Sequence, residues 1–299
     1  MPEINAKTVK GLRECTGAGM MDCKKALLEC EGDVDAAIDI LRTKGLAALA
    51  KKAGRATNEG IIAGYLTDDR QTGVLVEVNC ETDFVARNAD FKEFVSDVAA
   101  HIAVSAPSDV ETLMSQPHTA HPDSTVEQLL GETVARLGEN IGIARFERYE
   151  SGSEAGLISV YIHGVGNIGV MVEVFATTPE AAGSDVFAST AKDIAMQVAA
   201  AAPISVSRDQ IPAEMLEREM AIYKAQAAES GKPEQIQEKI AQGRLEKYFK
   251  EVCLHEQAFV KDPDINVKQH LERIAADLDS EVFIERFERY VLGGSASAT

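Results

Sequence analysis

The chain has 299 residues, 45% hydrophobic and 26% charged with only 9 prolines, a balance that excludes disorder and suits two or three globular modules. Its formal net charge is −18, and so acidic a surface repels phosphate backbones, which excludes nucleic acid as a main partner. No apolar run of about 18 residues occurs and no charged-then-apolar leader follows Met1, so neither a membrane contact nor export is expected, and a cytoplasmic location is.

Residues 1–54 read as three short helices. Asn5 caps the first, whose buried side includes Val9 and Leu12. Gly17 and Gly19 precede Met20, Met21 and Asp22, which open a second helix carrying Ala26 and Leu27 and ended by Gly32. Asp33 caps the third, with Val34, Ala37, Ile38 and Leu41 at helical spacing, and Gly45 is expected to close it. A three-helix module of this size resembles the ubiquitin-associated fold. It holds 9 Lys+Arg against 8 Asp+Glu, so the acidity lies elsewhere. Leu46–Ala53 reads as a helical linker and 54–60 as a joint. Met20 and Met21 either cover the module's core or form an adaptable apolar contact for a partner helix.

Residues 60–107 then recur as 156–203 without a gap: Gly60 pairs with Gly156, Val74 with Val170, Phe91 with Phe187, and Ala106-Pro107 with Ala202-Pro203. In each copy two β-rich runs, Ile61–Leu66 and Val74–Val78, then Leu157–Ile162 and Val170–Phe175, flank a turn and predict a hairpin. A helix follows, with Phe91, Phe94, Val95, Val98 and Ile102 on one face, and Phe187, Ala191, Ile194 and Val198 in the twin. Thr125–Leu137 predicts another helix, and Ile141–Tyr149 a strand added to the first sheet.

From Pro212 to Val252 the β signal vanishes. Leu216, Met220, Tyr223 and Ala227 step at helical spacing, Ser230–Pro233 makes a turn, and Ile236 and Ile240 begin a return stripe, which predicts a projecting antiparallel hairpin. Val282–Val291 returns to a strand-like or mixed character, and a flexible tail is expected over 293–299. The expected fold is α+β. It comprises a three-helix module (1–54), a first core subdomain (55–150), a second (151–207 and 253–292) and an inserted helical hairpin, a coiled coil, over 208–252.

Several motifs have dull explanations. Gly164–Gly169 spells GxGxxG, but a strand follows where a dinucleotide site needs a helix N-terminus, so a hairpin turn explains it. The five cysteines, Cys15, Cys23, Cys30, Cys80 and Cys253, form no CxxC pair and read as reduced thiols. His163 with Cys80 is the one base–nucleophile pair to weigh, and it lacks a third group. No catalytic residue, cofactor or metal is expected.

The two repeats differ at one loop. The first runs into Glu81-Thr82-Asp83-Phe84-Val85, while the second has Thr178-Pro179-Glu180 opposite Thr82-Asp83-Phe84. Either Phe84 and Val85 plug the first core while Asp83 caps a turn, or the ring is an exposed wedge with an acid beside it.

Residues 16–27, from Thr16-Gly17-Ala18-Gly19-Met20-Met21 to Leu27, and Val78-Asn79-Cys80-Glu81-Thr82-Asp83-Phe84-Val85-Ala86 resemble the two signatures of the bacterial elongation factor Ts family. Gly138-Glu139-Asn140-Ile141, His163-Gly164 with Ile168-Gly169, and Gly231-Lys232-Pro233 add weaker support. The resemblance spans essentially the whole chain. It implies a guanine-nucleotide exchange factor, without covalent chemistry, that binds elongation factor Tu in its GDP-bound and nucleotide-free forms. It further implies that Thr82, Asp83, Phe84 and Val85 dislodge Mg²⁺ from that partner, and that Leu12, Met20, Met21 and His163 contact it. The hairpin or the core would then serve a homodimer or extra contacts. Asn167 departs from the family's frequent basic residue, and Ala258 from its usual proline. The competing expectation, from the three-helix module, is a peptide-binding adaptor.

Overall fold

The structure is a computed structural model that describes residues 4–229 and 231–294. Helices α1 (Ala6–Thr16), α2 (Met20–Glu29) and α3 (Val34–Lys52) open the chain. The Asn5 side chain accepts the Thr8 N–H and the Asp33 side chain those of Asp35 and Ala36, so both caps are made by the expected residues. Val9, Leu12, Cys23, Ala26, Leu27, Ala37 and Leu41 form the small core. Val34 does not join it; this first residue of α3 is exposed.

Gly45 does not end α3, which runs on to Lys52. The glycine is there for contact. A Cβ at Gly45 would stand 3.0 Å from the backbone of Gly131, so two helices cross with their main chains touching. The third helix and the expected linker are thus one rod that lies against the body of the protein.

The first repeat contains β1 (Glu59–Leu66), β2 (Thr72–Cys80), α4 (Asp83–Ala86), α5 (Ala89–Ser105), α6 (Val110–Ser115), α7 (Val126–Leu137) and β3 (Ile141–Glu150). Its sheet is antiparallel in the order β1-β2-β3. The second contains β4 (Gly156–His163), β5 (Ile168–Ala176), α8 (Pro179–Ala182), α9 (Asp185–Ala201), then α10 (Ala213–Ala228), α11 (Glu234–Val252), β6 (Ala258–Phe259), β7 (Asp262–Asn266), α12 (Val267–Leu278) and β8 (Val282–Val291). Its main sheet runs β4-β5-β8.

The likeness of the copies reaches fine detail. Both middle strands shift register at the same place, Glu77/Val78 and Glu173/Val174. Both long helices end on an alanine in the left-handed region, Ala106 at φ 45° and Ala202 at φ 46°. The apolar face of α5, from Phe91 to Ile102, packs on the first sheet, and that of α9 on the second. Elements α6, β6, β7 and α12 have no counterpart in the sequence reading. Helix α12 repeats α7, and both open with a capping box, Thr125 with Gln128 and Asn266 with Gln269.

The sheets meet back to back through Ile62, Leu75, Tyr149, Ile158, Met171 and Tyr290. Two reciprocal backbone bonds lock them: Ile62 N–H to the Gly166 carbonyl and Ile158 N–H to the Arg70 carbonyl, each 2.8 Å. Each bond uses the equivalent positions of the two copies, as in a two-fold interface within one chain.

In the helical hairpin Leu216, Met220 and Tyr223 are half-buried and Ala227 is buried against α11. Ile236, expected in the return stripe, is exposed; Ile240, one turn on, is half-buried, and the neighbouring Ala241 is fully buried. At the base Arg208 pairs with Glu246 at 2.8 Å and with Glu256, and lies over the Phe249 ring. Ser230 of the expected turn lies outside the described residues, as do 295–299 of the expected tail. Gly293, assigned to that tail, is held, since its N–H donates to Glu77 Oε1 at 2.9 Å.

Candidate functional site

Strand β2 ends at Cys80 beside Ile141 of β3, which brings the Glu81–Val85 segment next to Glu139 and Asn140. Thr82 is the N-cap of α4, its hydroxyl accepting the Val85 N–H at 3.4 Å. Asp83 therefore does not cap the turn; its carboxylate pairs with Arg87 at 3.1 Å, one helical turn on, where both side chains meet solvent. Val85 and Ala86 point inward and join the first core. Phe84 points out and is 82% exposed, so it plugs nothing.

The twin makes the same turn without the ring. Thr178 caps α8, Pro179 takes its first position, and Ala181 and Ala182 are buried where Val85 and Ala86 sit. Glu180, opposite Phe84, is exposed. Nothing in this local fold requires an aromatic residue there, and a large apolar side chain held in water costs solvation free energy.

The segment is braced by groups the sequence reading did not assign to the site. Thr82 donates its N–H to Glu139 Oε2 at 3.0 Å and its hydroxyl to Glu139 Oε1 at 2.6 Å. Glu81 accepts the Asn140 N–H at 2.6 Å and pairs with Arg55 at 3.3 Å. The Asn140 backbone bond, and after it Arg55, holds the Glu81 carboxyl below its ordinary range. A usable signal was the pairing of 74–80 with 141–149, which makes the residues flanking those strands neighbours.

The other expected contact residues stand apart. Met20 and Met21 are exposed, at 43% and 61%, and Leu28, seven residues past Met21 on the same helix face, is exposed as well. Leu12 is only 2% exposed; it fills the core of the three-helix module and has no face to offer a partner. His163 is exposed at the end of β4, its Nδ1 3.0 Å from the Tyr161 hydroxyl. Beside it Val165 tops the turn at 66% exposure, while Gly166 is pinned to β1.

Cys80 is buried, and burial, with Glu139 nearby, pushes its thiol up to about 12, so it keeps its proton and donates to the Thr82 carbonyl at 3.2 Å. His163, exposed on the other repeat, is no base for it. The glycines of Gly164–Gly169 form a turn, with Gly164 at φ 64° and Gly166 at φ 102°, followed by strand β5. Among the described residues no group of three or more His, Cys, Asp or Glu could hold a metal ion. Among the described residues, too, no helix is long and apolar enough to cross a membrane. A cleft of about 560 Å³ between the three-helix module and the first repeat has a mixed lining that includes the charged Arg42, Asp90, Glu132 and Arg136. It contains none of the residues above.

A family model for "Elongation factor TS" matches residues 81–294. The elongation factor Ts of Trichlorobacter lovleyi is 46% identical over 290 residues, covering 97% of this chain and 93% of that protein. Those of Clostridium perfringens strain SM101 and Clostridium novyi are 48% and 47% identical over the same shares. The chain belongs to the elongation factor Ts family of translation elongation factors.

Proposed function

We propose that this chain is a guanine-nucleotide exchange factor that binds elongation factor Tu carrying GDP, disturbs its Mg²⁺ and phosphate site, and promotes GDP release during elongation. The observation that supports this reading best is Phe84, an exposed ring on a braced turn whose twin folds without one. The ring enters a packed seam of the partner, Asp83 brings negative charge behind it, and Thr82 and Val85 hold the turn. Met20 and Met21 on α2 and His163 on β4 are separate docking points, which suits a large partner surface.

The energetics need no reactive group. A factor that binds the nucleotide-free form more tightly weakens nucleotide binding by the same factor, because the coupling is reciprocal. A roughly 1,000-fold loss of GDP affinity needs about 4 kcal/mol of differential contact energy. One or two buried anchors supply that order, aided by loss of the metal. Fresh nucleotide reverses the coupling and releases the factor, which acts again in the cytoplasm.

Release of a fluorescent GDP from elongation factor Tu, with and without this protein, tests the proposal. Faster release supports it. The exposed Met21–Leu28 face also suits a peptide-binding adaptor, and binding without any acceleration would favour that reading.

A further inference from the structure

Phe84 has little besides its backbone to aim it. A four-residue helix is far too short to be stable alone, and the ring itself packs on almost nothing. Its direction is set by two anchors. On one side Val85 and Ala86 sink into the core. On the other, every polar group of Thr82 is committed: N–H and hydroxyl to Glu139, carbonyl to the Cys80 thiol, and the hydroxyl oxygen to the Val85 N–H. The two loops exchange carboxylate-to-backbone bonds, Glu139 gripping Thr82 while Glu81 grips Asn140. Arg55 ties in as well, through Glu81 and through the Asn140 amide, which donates to the Arg55 carbonyl at 2.8 Å. Bonds to ionised carboxylates are the stronger kind.

The twin closes the same junction with hydroxyls. Thr177 N–H donates to Ser280 Oγ at 3.0 Å, and the Glu281 N–H donates to Thr177 Oγ1 at 3.2 Å. Ser280 reaches Thr177 but not the cap residue Thr178. Short neutral side chains thus suffice to hold the loops together. Only the copy that carries the exposed ring uses two carboxylates and extends the grip to the cap.

We infer that Glu139, seconded by Glu81, is a positioning residue that pre-sets the Phe84 turn for insertion into the partner. The inference rests on the exchange reading above. A wedge already held in its working direction loses less freedom on insertion, so more of its contact energy remains for opening the nucleotide site.

The chain has no tryptophan, so Phe84→Trp provides a single fluorophore at the tip, in the full-length protein. In that background Glu139→Ala should lower the fluorescence anisotropy of the tryptophan. In the Phe84 background it should slow maximal GDP release from elongation factor Tu about tenfold, while the half-saturating concentration moves less than about twofold, since docking points elsewhere remain. Glu139→Gln keeps an acceptor oxygen and should recover part of both signals; it also carries the comparison if alanine impairs folding. Ser280→Ala, the counterpart in the twin, should change neither. Native anisotropy and native rates in both Glu139 variants, beside a slow Phe84→Ala, would overturn the positioning role and leave the wedge intact. Unchanged release with Phe84→Ala would remove the wedge, and the role of Glu139 with it.

Discussion

The guanidinium of Arg145 lies over the ring of Tyr290, 4.0 Å from its centroid, reaching from the first repeat into the second. The mirror contact is also made, with Arg286 3.9 Å over Tyr149. Each arginine pairs with a buried glutamate on its own middle strand, Arg145 with Glu77 at 2.9 Å and Arg286 with Glu173 at 2.6 Å. The charges are therefore compensated from two directions, by a carboxylate in the strand plane and by an aromatic face across the seam. Glu77 is 1% exposed. Arg145→Met strands its charge, and we expect a loss of about 3–5 kcal/mol in urea unfolding. The double variant Glu77→Gln/Arg145→Met should lose much less than the two single losses added together. Additive losses would show that the pair is not the unit of stability.

Phe84→Ala should separate function from folding. The ring is 82% exposed, so its removal should change the unfolding free energy by no more than about 0.5 kcal/mol. GDP release should slow about tenfold or more, equivalent to about 1.4 kcal/mol of lost contact in the complex. A destabilised protein would mean that the ring packs on its own chain after all.

Two stacked histidines give the first repeat a pH dependence that the second lacks at the same place. His101 and His118 are buried with ring centroids 4.9 Å apart. Backbone donors face one nitrogen of each: Thr119 N–H points at His101 Nδ1 and Ala120 N–H at His118 Nδ1, both 3.2 Å. The opposite nitrogens donate to Gln116 Oε1 at 3.1 Å and to the Asp97 carbonyl at 3.3 Å. The neutral rings satisfy all four contacts, while a second proton would confront a backbone N–H. Burial lowers the pKa of both below the ordinary value. The unfolded chain, titrating near about 6.5, then takes up protons first as pH falls. Stability is accordingly full above that pH and declines below it toward the folded values, by about 1.4 kcal/mol per pH unit for each group in the window. His255 and His270, also lowered by burial, add to the slope. In the second repeat Gln197 stands at the position of His101. His101→Gln should flatten the profile below about pH 6.5, read from urea midpoints on either side of that pH. An unchanged slope would show that His101 takes no part.

Strong periodicity was legible in the sequence. The apolar face from Phe91 to Ile102, the hairpins and the repeat up to Pro203 rest on local pattern, and burial honoured it. What escaped was non-local. Arg145–Tyr149 and Arg286–Tyr290 both read Arg-Phe-Glu-Arg-Tyr, yet the helical hairpin inserted in the second copy displaces them from the earlier alignment. With that register lost, α12 went unseen although it copies the capping box of α7. At the site, the odd loop stood out because its twin differs, but whether Phe84 faces in or out depends on the four-residue turn that buries Val85 instead. The Glu139 grip depends on strand pairing and could only be seen once β2 and β3 were neighbours.

Gly45 shows how one residue type carries opposite meanings. In a helix interior glycine normally costs up to about 1 kcal/mol relative to alanine, so a lone glycine reads as a weak point or a stop. Here a Cβ would meet Gly131 C at 3.0 Å and Glu132 N at 3.1 Å, main-chain atoms that cannot swing aside as a side chain would. Gly45→Ala should therefore force α3 off α7 and cost about 1–3 kcal/mol despite the better helix propensity. Gly11→Ala in α1, where nothing lies within 4 Å, should do the reverse and gain up to about 1 kcal/mol. Thermal unfolding of both variants, with limited proteolysis at the joint over 54–57, reads the two signs. If both substitutions stabilise, the α3–α7 crossing is looser than its backbone contact implies, and the rod does not fix the three-helix module against the core.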